Sequence, residues 1–294
     1  MSIKVQFEKM EKLYHFTSFD TAMKIIESNR LRFGRLNNMN DIHESDKIVF
    51  VNANNHPIDK FPSDVLDALY DEIYKYRQIS LTADGKEDDK EGFDLHQMWG
   101  LYADKGEGVC LVFDKKELEK GFGSAVLHSR VSYDKTVESY YISLSNNPHS
   151  VANEIRKHVD KLFFHKRIEW EHEQEYRLLR RCPLATREEY LFLGHALKFV
   201  ILSSKLRNID EAFYFKNIKY VKDKVGKIKK AQNIGEAGRI PILIYGNGLF
   251  DFSLITEDGK EELWNSEDGY EVLILGKNCE LALQESYKQN MNAY

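Results

Sequence analysis

Val109-Cys110-Leu111-Val112-Phe113 is a near-continuous apolar run of strand length. A strand buried on both faces reads that way, so the run predicts a central sheet strand and argues against a bundle of helices. Short strands and short amphipathic helices surround it in the sequence. A strand is expected over 13–17, followed by a helix over 21–28 that Ser18 or Asp20 caps and that buries Ala22, Ile25 and Ile26. A second strand is expected over 31–36, and the Asn- and Asp-rich residues 37–41 read as a loop. Helices are expected over 64–75, 96–103 and 151–164, and strands over 78–82, 125–133 and 197–202. Gly106 and Gly108 read as a helix stop and a turn.

The last third differs in character. Residues 217–230 carry Ile218, Val221, Val225 and Ile228 on one helical face, ringed by lysines, and this is the strongly basic segment of the chain. From Ile240 the pattern is a β-meander over 242–245, 250–255 and 272–275, with Asp-Gly turns at Asp258 and Asp268. The expected division is a domain over 1–205 and a lysine-rich helix with a meander over 206–294. The expected fold class is α+β: a mainly antiparallel split sheet with flanking helices.

Composition excludes several classes. Forty-two Lys and Arg against 47 Asp and Glu give a net charge of −5, which excludes a globally basic nucleic-acid binder but not a local basic patch. Three widely spaced cysteines lack a Cys-x-x-Cys pair and read as reduced thiols without a structural zinc. Charges at the N-terminus do not suit a signal peptide, and no apolar stretch reaches membrane-spanning length, so the expectation is a soluble cytoplasmic protein with no membrane partner. The phosphate-binding loop, the Rossmann glycines, the nucleophile elbow and the His-Glu-x-x-His zinc motif are all absent from the sequence.

The stretch from Lys166 to Leu179 concentrates the ionisable side chains. Read as a strand from Trp170, it places Glu171, Glu173, Glu175 and Arg177 on one face, with His172, Tyr176 and Leu178 on the other. Carboxylates so close raise one another's pKa unless a cation lies between them, and Arg177 is placed to be that cation. An amphipathic helix with a Glu173–Arg177 pair fits the same residues. Elsewhere, His15 and Thr17 end the first strand, and Trp99 and Tyr102 share a helical face that suits either core packing or stacking of a planar ring.

In order along the chain, Tyr14-His15-Phe16-Thr17, Asn40-Asp41, Ser80, Met98-Trp99-x-x-Tyr102 and Lys166-x-x-x-Trp170-x-x-Glu173-x-Glu175-x-Arg177 resemble a widespread bacterial family of domains of unknown function, over roughly 11–205. Ile42-His43 departs from that family's pattern after Asn-Asp. The opening Tyr-His-x-Thr, helix, Leu-Arg pattern is also similar to ADP-ribosyltransferases of the His-Tyr-Glu and DarT-like types. That resemblance implies an ADP-ribosyltransferase-like sheet and NAD as co-substrate, with no metal. It gives Glu175, Glu173 and His15 catalytic roles, and it gives Tyr14, His15, Thr17, Arg32, Ser80, Trp99, Tyr102 and Arg177 roles in holding NAD. Arg177 or Arg32 would meet the pyrophosphate, and His15, Trp99, Tyr102 and Glu175 would line one cleft.

Loss of the nicotinamide passes through an oxocarbenium-like ribose, which a carboxylate stabilises. On this reading Glu175→Gln removes turnover and leaves stability nearly unchanged. The chain would be a toxin or phage-defence effector, with an antitoxin or chaperone as partner. Its acceptor would be RNA, DNA or protein, and Lys222, Lys224, Lys227 and Lys229 would contact a nucleic-acid acceptor. The competing readings are a non-catalytic nucleotide- or protein-binding module of the same fold, and a nuclease using Glu173, Glu175 and Asp41 with Mg²⁺.

Overall fold

The computed structural model describes residues 7, 9–36, 48–51, 61–85, 91–134, 140–183, 188–203, 223–224, 226–228, 230–232, 240, 242–245, 252–255 and 261–264. In chain order its elements are β1 (Lys12–Thr17), α1 (Phe19–Ser28), β2 (Arg30–Arg32), β3 (Gly34–Arg35), β4 (Ile48–Val51), α2 (Ser63–Ile73), β5 (Tyr76–Ala83), α3 (His96–Leu101), β6 (Val109–Asp114), α4 (Lys115–Glu119), β7 (Val126–Arg130), β8 (Ser132–Asp134) and β9 (Tyr140–Ser143). They continue as α5 (Pro148–Lys157), α6 (Val159–Phe163), β10 (His165–Arg167), β11 (Glu175–Arg181), β12 (Tyr190–Phe192), β13 (Leu197–Ser203), β14 (Ile242–Tyr245), β15 (Phe252–Ile255) and β16 (Glu261–Trp264). The class is α+β with a mainly antiparallel sheet and flanking helices. Among the described residues no helix is long and apolar enough to cross a membrane.

Two compact units partition the chain: residues 1–30, 93–121 and 192–294 form the first, and residues 31–92 and 122–191 form the second. In the first unit β6 is flanked by antiparallel neighbours, with Tyr14 opposite Val112 on β1 and Ile201 opposite Cys110 on β13. Val109, Cys110, Leu111, Val112 and Phe113 are all fully buried, as the apolar run requires. The meander joins this sheet through a parallel pair, β13 with β14, followed by the antiparallel pairs β14–β15 and β15–β16. The expected turn at Asp258, the turn at Asp268 and the strand over 272–275 lie outside the described residues.

Helix α1 follows the sequence logic. Ser18 is its N-cap, accepting from the Thr21 N–H, and Asn29 closes it in the left-handed conformation at φ 52°. Aromatic rings fill the core under the sheet: Phe7 meets Phe199 edge-on at 5.0 Å, and Phe16 meets Trp99 at 5.2 Å. The 96–103 segment is helical only to Leu101, after which Gly106 takes φ 85°. Both Gly106 and Gly108 donate their N–H to the Ala103 carbonyl. Gly108 is more than a turn residue, because a Cβ there would lie 2.2 Å from the Thr17 carbonyl oxygen and 2.7 Å from the Ala103 carbonyl carbon.

In the second unit β5 pairs antiparallel with β11 and with β3, and β11 continues to β7. Two short parallel ribbons, β8 with β10 and β4 with β9, lie outside that sheet, and β2 pairs with β12. Helices α2 and α5 cover an aliphatic and aromatic core that includes Val65, Leu69, Ile155, Phe163 and Leu179. The expected strand over 125–133 breaks at Val131, which donates its N–H to the Glu175 carbonyl and separates β7 from β8. The expected helix over 151–164 breaks at His158, whose φ of −114° is not helical. Glu72 of α2 is buried and takes Arg181 Nη2 at 2.7 Å and Lys75 Nζ at 3.3 Å. Burial alone would raise its pKa, but these two cations lower it.

Two glycine substitutions separate packing from propensity. Gly108→Ala should destabilise the protein by about 1–3 kcal/mol or more, since the obstructing atoms are backbone. Gly100→Ala, with nothing within 4 Å of the new methyl inside α3, should stabilise it by about 0.5–1 kcal/mol. Denaturant unfolding of the two variants measures both.

Candidate functional site

Residues 168–173 form a 3₁₀ segment rather than the start of a strand. Gln174 then takes a left-handed conformation, φ 46° and ψ 44°, and β11 begins at Glu175. The strand and the helix expected over this stretch are both replaced, because two backbone-bonded turns fit six residues with no apolar period. Glu171 and Glu173 therefore leave the strand face that Glu175 and Arg177 share. The left-handed Gln174 still bonds into the sheet, its carbonyl accepting from the Ala83 N–H at 2.9 Å.

Four charges meet beneath this turn. Lys166 Nζ lies 2.6 Å from Glu173 Oε2 and 2.9 Å from Glu175 Oε2. Arg177 grips the other side of Glu175 with two hydrogen bonds, Nε to Oε1 at 2.8 Å and Nη2 to Oε2 at 3.0 Å. A third Arg177 nitrogen, Nη1, donates to the Phe163 carbonyl. All four residues are buried, Arg177 completely. Burial pushes the Glu175 pKa up, but Arg177 and Lys166, with hydrogen bonds from Arg177 and Ser80, outweigh it and hold the carboxyl well below the usual carboxylate range.

Two hydroxyls reach the cluster. Ser80, directly across from Arg177 in the β5–β11 register, hydrogen-bonds the Glu175 carboxylate and is itself exposed. Tyr133, paired with Lys166 in the β8–β10 ribbon, accepts the Glu175 backbone N–H at 2.8 Å. Desolvation pushes the Tyr133 phenol up, so it stays protonated. Lys166 and Tyr133 were not singled out as site residues from the sequence. The seven-residue separation of Lys166 and Glu173 hides a contact that the 3₁₀ turn creates.

The remaining candidates have other surroundings. His15, Tyr14, Thr17, Trp99 and Tyr102 lie in the first unit, whereas Arg32, Ser80, Glu173, Glu175 and Arg177 lie in the second. Tyr14 is fully buried, with Phe93 edge-on at 6.1 Å, and Trp99 donates its indole N–H to the Phe93 carbonyl at 2.8 Å. Both are core residues in this arrangement. Thr17 is buried and ends β1, while His15 and Tyr102 are half-buried. Arg32 is at the surface, paired with Glu188 at 3.3 Å. Arg177, buried and fully engaged by Glu175 and Phe163, is not disposed to meet a pyrophosphate.

The lysine segment is only partly described. Lys222 and Lys229 lie outside the described residues. Lys224 is buried, donates to the Glu107 carbonyl and sits 5.1 Å from the Phe19 ring centroid. Lys227 is exposed, 5.9 Å from the same ring. Among the described residues no group of three His, Cys, Asp or Glu side chains is placed to hold a metal ion. Asp41 lies outside the described residues.

Residues 98–178 are similar to a family described as "Protein of unknown function (DUF2971)". The matched stretch runs from α3 to Leu178 and so contains Trp99, Tyr102, Tyr133, Lys166, Glu173, Glu175 and Arg177, while covering less than half of the chain. No curated protein and no solved structure matches the chain.

The burial of the cluster revises the expectation for Glu175→Gln. Removing one charge leaves Arg177 without its carboxylate partner in a dry environment while Lys166 keeps Glu173, at a cost of about 3–5 kcal/mol in unfolding free energy. The pKa of Glu175 is lower folded than unfolded, so its contribution is complete above the unfolded value near ~4.3 and is lost as pH falls below about 5. Wild-type stability should therefore drop between about pH 5 and pH 2, and the Gln variant should show a shallower drop in the same denaturation series.

Proposed function

We propose that the chain is an NAD-dependent mono-ADP-ribosyltransferase with an ADP-ribosyltransferase-like split sheet, a toxin or phage-defence effector that modifies a nucleic-acid or protein acceptor. The observation that carries this reading is the state of Glu175: a buried carboxylate, kept ionised by two cations, with an exposed serine hydroxyl bonded to it. An anion fixed in a low-dielectric setting stabilises the positive charge that develops on the ribose better than a solvated one, without reorganising during the reaction. Glu175 then acts electrostatically and not as a base, since a carboxylate held so far below its ordinary range is too weakly basic to take a proton effectively at neutral pH.

In this reading NAD is the co-substrate, and Ser80 orients the ribose hydroxyls against Glu175. A cytoplasmic antitoxin or chaperone partner belongs with the toxin role.

A second reading, a non-catalytic nucleotide- or protein-binding module of the same fold, is favoured by the internal neutrality of the cluster. Lys166 and Arg177 balance Glu173 and Glu175 one for one, as a purely architectural ion network would. The nuclease reading is disfavoured because Lys166 already stands between the two carboxylates where a divalent cation would have to bind.

Incubation with NAD labelled in the nicotinamide ring, with and without EDTA, separates the three. The expected result is release of free nicotinamide, undiminished by EDTA. Ser80→Ala, at an exposed position, should keep the fold and lower kcat by about 10-fold to 100-fold, the value of one hydrogen bond to a charged group. No release with any acceptor supports the binding module, and EDTA-sensitive phosphodiester cleavage without nicotinamide supports the nuclease.

A further inference from the structure

Helix α2 divides its residues between core and solvent. Val65, Leu69 and Glu72 are buried, while Asp64, Asp67, Tyr70, Asp71 and Tyr74 recur at spacings of three and four residues and are exposed. Tyr74 closes the helix and stacks on Tyr70, with 6.3 Å between ring centroids and 24° between planes. The two rings remain 49% and 48% exposed. A stacked pair keeps its outer faces, and the negative charge of a π-face attracts a cation.

The acids on this face are of two kinds. Asp64 lies in the first turn, where the helix dipole favours a carboxylate, and it accepts the Val65 N–H at 2.9 Å. Asp67 and Asp71 have no such local support. They stand one turn apart, a spacing at which like charges repel, and Asp71 is in the last turn, where the dipole disfavours an anion and no basic residue offsets it. Lys75, four residues after Asp71, is spaced to pair with it, yet its Nζ turns inward to Glu72 at 3.3 Å. Arg181 also goes to Glu72, and Arg77 donates to the Tyr74 and Tyr76 carbonyls. These three cations serve the interior, so Asp67 and Asp71 make no ion pair among the described residues.

We propose that the outward face of α2 is a docking surface for a partner protein that presents arginine. A guanidinium is planar, so it stacks on a tyrosine ring while its N–H groups reach a carboxylate, whereas a lysine ammonium is a strongly hydrated point charge without that geometry. Side chains one helical turn apart have Cβ atoms about 5–6 Å from each other, close enough for one guanidinium to bridge Asp67 and Asp71. The same carboxylates repel nucleic acid and anionic lipid, which removes both as occupants. The surface does not depend on Glu175 or on the NAD reading.

The probe is a decapeptide of alternating arginine and alanine, compared with the same peptide carrying lysine or glutamine in place of arginine. It is titrated into the full chain with isotope-labelled tyrosine rings, whose resonances the variants Tyr70→Ser and Tyr74→Ser assign. The arginine peptide should move the Tyr70 and Tyr74 signals and bind more tightly than the lysine peptide, with affinity falling as salt rises. Each serine variant should weaken binding by about 2-fold to 5-fold, the value of a cation–π contact at an exposed site. The double change Asp67→Asn and Asp71→Asn should remove most of the salt dependence. All four positions are exposed, so the variants keep the fold, which far-UV circular dichroism verifies. Equal binding of the lysine or glutamine peptide, unmoved tyrosine signals, or affinity indifferent to these variants overturns the proposal. Self-association of the wild-type chain that the serine variants abolish also overturns it, because a second copy then covers the face.

Discussion

Burying four charges together is the constraint around which the second unit is built. A lone ionised side chain in a dry interior is untenable, so Glu175 requires Arg177 and Lys166, and Lys166 in turn is shared with Glu173. The four partners arrive on three elements. Lys166 comes from the β8–β10 ribbon, Glu173 from the 3₁₀ segment, and Glu175 with Arg177 from alternate positions of β11. The cluster can be neutral only when all these elements are in register. The left-handed Gln174 is the joint that makes this register reachable, turning the chain from the 3₁₀ segment into the sheet within a single residue.

The first unit is held by a different kind of force. Its core is a run of aromatic and aliphatic side chains on β1, β6 and β13, closed by edge-to-face ring pairs and by the close approach of Gly108 to Thr17. Apolar burial does not depend on one particular partner, whereas the charged cluster does. One unit therefore tolerates volume-preserving substitutions in its core, and the other does not tolerate loss of any one of its four charges.

Strands and helices with a strong period could be read from the sequence. Val109–Phe113 has five apolar residues in a row and is the buried strand it promises to be, and the Ser18 cap with Ala22, Ile25 and Ile26 marks α1 correctly. What could not be read is decided by tertiary contact. Trp170–Gln174 fits a strand and a helix equally, because its charges satisfy either period, and the choice of a 3₁₀ turn depends on Lys166 from another element. Trp99 and Tyr14 carry the residue types of a stacking site and serve the core, since an indole N–H is satisfied as well by the Phe93 carbonyl as by a ligand. The pairing of Glu175 with Arg177 was legible from spacing alone, but its complete removal from water was not.

The parallel contact between β13 and β14 bears on how the chain is made. Antiparallel neighbours can be joined by a tight turn, but a parallel one waits for its crossover, here the residues between Ser203 and Ile242. The second unit ends at Leu191, so on a ribosome all of it has been synthesised before β13 and β14 exist, whereas the first unit's opening strand must wait for them. Synthesis thus completes the unit with the buried charges first and the one that begins the chain last. A nascent chain stalled before Ile242 would present β13 with one edge unfilled, the state in which such a sheet is most open to pairing with another molecule.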